Sequence, residues 1–456
     1  MRVRIKIRKF ISVLLIMCFV VTCMPFMPLE EAEAEFETAS IKVTPDTIEI
    51  RMGDTQQLAV ETLPPDITEI VAGYWHSLAL ESNGTVWAWG GNAYGELGDG
   101  TYGVSSSVPV KVQNLSKVTA VAAGHNHSLA LKSNGTVWAW GCNSYGQLGN
   151  GKHCNIEGYM HGPDIAGCEC KQTPIQVKNL TNIIAIAAGA NHSLALENDG
   201  TVWGWGCNYN GQLGNGSTQT EVTTPVKAIN LTNIIAIAAG ANHSLALEND
   251  GTVWGWGCNY NGQVGVNRQS YEEPTPAKVQ NLSSVTKIAA GGYNSLALKS
   301  NGTAWAWGSN LYGQLGNGEH CDNWFPHGPN VDGCACKYTP VQVENLTSVK
   351  EVATGGMHTL ALKNNGTVWV WGSNMHNQLG DSTTDDIKTI PVQMESISNG
   401  KIVAADNYRS YVFKNDGTIW EWGSGNRIPV QAIISETKDV TNKAAYSSSN
   451  TTVATV

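Results

Sequence analysis

The sequence predicts an all-β chain built around a ring of seven short-stranded sheets, a seven-bladed β-propeller. Three observations predict it. The tetrapeptide W-x-W-G occurs seven times, opening at Trp87, Trp138, Trp203, Trp254, Trp305, Trp369 and Trp420, and these pairs take fourteen of the sixteen tryptophans. Each copy follows an Asn-Gly or Asp-Gly placed between two apolar runs, the strongest short hairpin signal because both turn positions need positive φ. Each copy is also followed by a short segment opening on proline, so every unit reads as about four strands, the size of a propeller blade.

Within a unit the order is constant. An apolar segment such as Val118-Thr-Ala-Val-Ala-Ala leads to Ser128-Leu-Ala-Leu, then the turn Ser133-Asn134-Gly135, then Thr136-Val-Trp-Ala-Trp-Gly. The turn recurs as Asn83-Gly84, Asp199-Gly200, Asp250-Gly251, Asn301-Gly302, Asn365-Gly366 and Asp416-Gly417. N-x-T tripeptides at these places are read as turn chemistry rather than glycan acceptors. In a strand, residues i and i+2 share a face. Trp87 and Trp89 therefore point one way and Ala88 the other, and the opposing residue stays small in most units; Val370 stretches the rule and Glu421 breaks it. Proline is tolerated at strand starts and edges, which suits a fourth strand beginning at Pro109, Pro174, Pro225, Pro276, Pro340, Pro391 and Pro429. The last of these has no following unit, so residues 429–432 are expected to close the ring by pairing into the first sheet, which begins at Ile67.

The W-x-W-G spacings are 51, 65, 51, 51, 64 and 51 residues. Residues 179–212 and 230–263 are identical, the mark of a recent duplication. The two long spacings hold insertions with the same pattern: His153-Cys154, His161 and Cys168-Glu-Cys170 in one, His320-Cys321, His327 and Cys334-Ala-Cys336 in the other. Three cysteines cannot all pair within one insertion. A Cys3His group is a closed tetrahedral zinc set, so Cys154, His161, Cys168 and Cys170, and Cys321, His327, Cys334 and Cys336, are the candidate ligands of two structural zinc ions. One disulfide plus a thiol in each insertion is the alternative, and fits an exported chain. Cys142, Cys207 and Cys258 share a repeat position that is Gly or Ser elsewhere, and read as buried thiols. His76, His127, His192, His243 and His358 share another, with Asn294 and Arg409 in its remaining copies, and read as hydrogen-bonding core residues. Gly146-Gln-Leu-Gly-Asn-Gly151-Lys152 imitates a phosphate loop but opens no helix and recurs without the lysine, so no nucleotide is expected there.

The chain ends read differently. Residues 1–34 combine Arg2, Arg4, Lys6, Arg8 and Lys9, an apolar run over 10–21, and Ala32-Glu33-Ala34, the order of a cleaved secretory signal; acylation at Cys23 is the alternative. The run is shorter than the ~20 residues a membrane span needs, and no later segment is long and apolar enough. The chain carries a net charge of −10, without the basic footprint that nucleic-acid backbone binding requires.

Residues 121–149, V-A-A-G-H-N-H-S-L-A-L-K-S-N-G-T-V-W-A-W-G-C-N-S-Y-G-Q-L-G, resemble the regulator of chromosome condensation repeat. The resemblance runs from Ile67 to roughly Ile433 and implies the seven-bladed propeller; the last unit departs from it by lacking G-Q-L-G and by carrying Arg409-Ser410 for His-Ser. The flanks, over 39–66 and 434–456, are similar to the strands of a bacterial Ig-like domain of group 2, so a partial Ig-like β-sandwich is expected to flank the propeller or to contain it as an insertion. Together these features lead to the expectation of a monomeric, secreted or cell-surface bacterial binding or adhesion protein whose propeller loops contact a protein or glycan. The alternatives are a secreted enzyme acting on polysaccharide or peptide, and a guanine-nucleotide exchange factor-like regulator.

Overall fold

The computed structural model describes residues 66–154, 169–268, 270–321 and 335–432, together with the backbone strands Arg2–Lys6, Ile41–Thr44, Thr47–Arg51 and Ala59–Thr62. Seven four-stranded antiparallel sheets occupy the continuous part, each made from one contiguous unit. Blade 1 comprises Ile67–Ala72, His76–Glu81, Val86–Gly90 and Ser106–Lys111. Blades 2 to 7 begin at Val118, Ile183, Ile234, Val285, Val349 and Gly400. The first strands of successive blades are neighbours all the way round, with Gly400–Ala405 of blade 7 beside Ile67–Ala72 of blade 1. They line the axis, and the fourth strands form the rim.

The hairpins form where the residues predict, but only the glycine of each pair, and not the Asn or Asp before it, takes positive φ, so the connection is a longer turn closed by a left-handed glycine rather than the two-residue turn expected. Asn83 Oδ1 accepts from Thr85 N at 2.8 Å, and Asp199 Oδ1 from Thr201 N at 2.8 Å, the side-chain turn that Asn and Asp form with backbone two residues on. Gly84 and Gly200 take the positive φ of these turns, 82° and 88°. The fourth strands start before their prolines. Ser106–Lys111 contains Pro109, where the register between the third and fourth strands shifts, so the missing N–H falls at a bulge and costs no ladder bond.

Both tryptophans of a pair face the preceding blade, as the alternation predicts. Trp205 is fully buried among Leu129, Leu131, Val137, Ala139 and Leu148 of blade 2, with Trp203 half-buried against the same cluster. The core is thus seven apolar layers, one in each gap between blades.

Closure differs from the expectation. Asn426–Ala432, which contains Pro429, pairs with Ile419–Gly423 of its own blade and not with blade 1. Among the described residues no strand is shared between the ends. Instead Ala404, Tyr411, Phe413 and Ile419 of blade 7 pack face to face on Ile67, Ile70, Ala79, Trp87 and Trp89 of blade 1. Burial of these apolar faces, rather than a ladder of backbone bonds, holds the ring shut.

Ahead of the ring, Ile41–Thr44 pairs with Ala59–Thr62 and Arg2–Lys6 with Thr47–Arg51, as two separate two-stranded sheets. The described residues do not join them into an Ig-like sandwich. Residues 433–456 and 7–40, including Cys23 and the expected cleavage site, lie outside the described residues. Among the described residues no helix is long and apolar enough to cross a membrane.

Candidate interaction surface

Antiparallel alternation sends the turn after each first strand and the loop after each third strand to the same end of the sheet. That end is the loop face of the ring. It carries both cysteine insertions, between Val137–Gly141 and Lys171–Gln176 in blade 2 and between Ala304–Gly308 and Lys337–Gln342 in blade 5. It also carries the exposed aromatics Trp75, Tyr209, Tyr271 and Tyr293. They gather most densely where the ring closes. Tyr74 packs edge-on or tilted against Trp75, His125 and Tyr408 with ring centroids 4.7, 4.5 and 5.7 Å apart, and His376 lies 4.5 Å from Tyr408. The Tyr74 and Tyr408 hydroxyls are 3.2 Å apart, a bond between blades 1 and 7.

The loops after the third strands also reach between blades. In blade 2, Asn143 Oδ1 accepts from Leu148 N at 3.0 Å and Gln147 Oε1 from Tyr145 N at 2.8 Å, which folds the G-Q-L-G segment onto itself. The Gln147 carbonyl then accepts from Trp205 Nε1 at 2.8 Å and from Ser193 Oγ at 3.0 Å, both on blade 3. His127 Nε2 reaches the same Ser193 Oγ at 2.9 Å. Because the serine proton goes to the carbonyl, the imidazole is the donor. Burial lowers the pKa of His76, His127, His192, His243 and His358 to about 3, so all five are neutral core residues, as the repeat position implied. The equivalent tryptophan bonds are Trp140 to Glu96 O, Trp256 to Gln212 O, Trp307 to Gln263 O, Trp371 to Gln314 O and Trp422 to Gln378 O, at 2.7–2.9 Å.

Blade 7 has only Ser424-Gly425 between its third and fourth strands. Nothing from it enters the gap to blade 1. A cleft of about 1000 Å³ opens there on the loop face, lined among others by Trp75, Trp89, Glu96, Arg409 and Glu421. Trp89 Nε1 is buried with no hydrogen-bond partner, and so is Glu421 Oε2. Asp406 is buried beside the cleft, accepts from Tyr408 N and Arg409 N at 2.7 Å, and has its pKa raised to about 7 by burial. Glu96 stands where the other five loops have Gln, accepts from Tyr94 N at 2.7 Å, and is likewise raised to about 7 by burial. The sequence had marked Arg409 and Glu421 as departures from the repeat; that they share one cleft is a tertiary fact.

Three further carboxylates lie away from this cleft and are engaged with other groups. At the ring centre Glu69 accepts from Val121 N at 3.0 Å, and Glu351 faces Lys287 and Lys350. Asp385 pairs with Lys388 on the surface. Trp324 lies outside the described residues.

Of the expected metal ligands, Cys154 and Cys170 come together with sulfurs 3.9 Å apart, and the Glu169 amide donates to Cys154 Sγ at 3.2 Å. The second insertion repeats that bond, from Ala335 N to Cys321 Sγ at 3.1 Å, while Cys336 Sγ lies 3.9 Å from Asn261 Oδ1. His161, Cys168, His327 and Cys334 lie outside the described residues. Cys142 could serve the first insertion by its place in blade 2, but its counterpart in blade 5 is Ser309, which points to self-contained insertions; in the structure Cys142 packs against Cys154 and Cys170.

Known proteins share this architecture. A family model described as the RCC1-like domain matches residues 162–444, and models of the regulator of chromosome condensation (RCC1) repeat match 67–96, 83–131 and 118–147. The chain belongs to the RCC1-like family. Among RCC1-like relatives, the ultraviolet-B receptor UVR8 of Arabidopsis thaliana is 29% identical over 377 residues, covering 80% of this chain and 78% of the receptor. The E3 ubiquitin-protein ligase HERC2 of Homo sapiens is 27% identical over 77% of this chain, which spans only 7% of the ligase. Prp20p of Saccharomyces cerevisiae, whose crystal structure is reported with its binding properties to Gsp1p and histones, superposes with a TM-score of 0.63 at 28% identity, covering 75% of this chain and 80% of Prp20p. These relatives overturn the expectation of an exported bacterial adhesion protein: the RCC1-like proteins this chain resembles are an ultraviolet-B receptor, a ubiquitin ligase and a protein reported with its binding to Gsp1p and histones.

Proposed function

We propose that this RCC1-like ring is a non-enzymatic regulatory module that binds a partner protein on its loop face. The observation that carries this is the aromatic group at the seam. Trp75 is 52% exposed yet braced by Tyr74 and Tyr408, and rigid, exposed aromatics are the side chains that dominate protein interfaces. The binding of proteins by Prp20p supports it. Photocrosslinking from position 75, read by mass spectrometry, tests it. Trp75→Ala is expected to abolish capture while leaving thermal unfolding unchanged; equal capture by wild type and variant would sink the proposal.

A second reading, exchange-factor activity, draws on the similarity to Prp20p. Its measure is release of fluorescent GDP from a small GTPase, with acceleration by catalytic amounts of this chain as the supporting result.

Zinc in the two insertions and a cleaved leader over residues 1–34 are separate proposals. The first is supported by the close sulfurs of Cys154 and Cys170 and by the amide-to-sulfur bond repeated in both insertions. The second rests on the residue order of the leader and is tested by the N-terminus of the mature chain.

A further inference from the structure

Six of the seven gaps between blades are filled by the same device, and its chemistry specifies what the seventh lacks. In each filled gap a loop brings an aliphatic side chain, Leu97, Leu148, Leu213, Val264, Leu315 or Leu379, which is wholly buried. The preceding loop residue offers its carbonyl to the indole N–H of the next blade and to a Ser or Thr hydroxyl beside it. The loop's second glycine lies against that indole: a Cβ on Gly98 would come within 2.8 Å of Trp140 Nε1, and one on Gly214 within 2.9 Å of Trp256 Nε1.

At the seventh gap the receiving blade is intact and the loop is missing. Ser77 is satisfied by the Tyr411 hydroxyl, but the Trp89 N–H is buried and unpaired. The residue opposite the tryptophans, which elsewhere is Gly, Ala or Val and in blade 3 lies against the loop aliphatic (a Cβ on Gly204 would meet Leu213 Cδ2 at 3.2 Å), is here Glu421. It places an unpaired carboxylate oxygen where the six loops place a methyl group. The cleft therefore offers an unpaired indole donor, an unpaired Glu421 oxygen with Glu96 and the Arg409 guanidinium also in its lining, and about 1000 Å³ of open volume.

We infer that this cleft receives a glycine-flanked turn from a partner protein, seated as the absent seventh loop would be. Its backbone carbonyl accepts from Trp89 Nε1. A lysine or arginine stands at the leucine position, its methylene stem filling the aliphatic space and its cationic end meeting Glu421, since long basic side chains bury their stems while keeping the charged end paired. The inference rests on the protein-binding reading above and adds the chemistry of one contact.

Two cyclised peptides test it by calorimetry on the folded chain: a copy of residues 143–151, and the same peptide with lysine in place of its leucine. The lysine peptide is expected to bind wild type roughly tenfold more tightly than the leucine peptide, and Glu421→Ala is expected to invert that order. Trp89→Phe, which keeps the ring and removes only the donor, is expected to weaken both. Replacing Ser424-Gly425 by the blade 6 loop, residues 374–386, is expected to abolish binding and raise the melting temperature. Failure of both peptides to bind, equal binding by Trp89→Phe, or tighter binding of the leucine peptide to wild type would overturn the inference. Partner capture that is lost in Trp75→Ala but intact in Trp89→Phe would overturn it while leaving the loop-face reading standing.

Discussion

Ser77 of blade 1 donates a hydrogen bond to the Tyr411 hydroxyl of blade 7 at 2.9 Å. At every other gap the equivalent Ser or Thr donates to a loop carbonyl. Tyr411 is fully buried and bridges onward to Asp406 at 3.4 Å. Tyr411→Phe leaves the Ser77 hydroxyl without an acceptor in the closing contact. The expected cost is about 1–3 kcal/mol, read as a lower denaturation midpoint with an unchanged slope.

The unpaired indole predicts an asymmetry among equivalent tryptophans. Trp422→Phe removes the bond to Gln378 O, whereas Trp89→Phe removes an N–H that bonds to nothing. Both lose similar ring area. Trp422→Phe is therefore expected to destabilise the ring by about 1 kcal/mol more than Trp89→Phe. Equal losses in matched urea titrations would show that Trp89 has a partner in solution.

Glu96, whose loop fills the gap between blades 1 and 2, makes the stability of the ring depend on pH. Its folded pKa, raised by burial to about 7, exceeds the ordinary 4.5, so the folded chain holds this proton more tightly than the unfolded one. The contribution is complete below 4.5 and is lost as pH rises through 7. Glu96→Gln restores the residue of the other five loops and mimics the protonated form. It is expected to stabilise by about 2 kcal/mol at pH 8.5 and by nearly nothing at pH 4.5, compared as differences in melting temperature from wild type.

Acid acts oppositely on the five buried histidines. Their folded pKa of about 3 lies below the ordinary 6.5, so unfolding takes up protons once pH falls under 6.5, and stability drops steadily from there toward 3. Glu69, Glu96 and Asp406, raised to about 7, offset part of this between 6.5 and 4.5. Five sites outweigh three, and the net expectation is an acid-labile ring. A stability curve flat between pH 6.5 and 4.5 would contradict the buried neutral state.

If the insertions hold zinc, purified chain contains two ions, and chelation frees thiols at both insertions while the blades keep their unfolding transition, because Cys154 and Cys321 lie in loops outside the sheets. Elemental analysis with thiol titration decides it: no zinc with an intact disulfide in each insertion is the opposing result.

Most of the ring was legible because its determinants are local. Asn-Gly and Asp-Gly set the hairpins, alternation placed both tryptophans of a pair on one face, and a shared repeat position marked the histidines as structural before any burial was known. The closure was not legible. A proline-led strand in blade 7 is equally able to pair with either end of the chain by pattern alone, and only the face-to-face packing of Tyr411 and Phe413 on Trp87 and Trp89 shows that no strand is exchanged. The functional reading failed for a related reason: flanking residues and charge describe where a chain could go, and carry no information on what a folded surface recognises.

By itself the sequence determined seven units, their turns, their strands and the family they belong to, since each follows from contacts within a few residues or from a repeated pattern. The tertiary structure alone decided that Arg409, Glu421 and Trp89 share one cleft. Those residues lie at opposite ends of the chain, and only closing the ring brings them together.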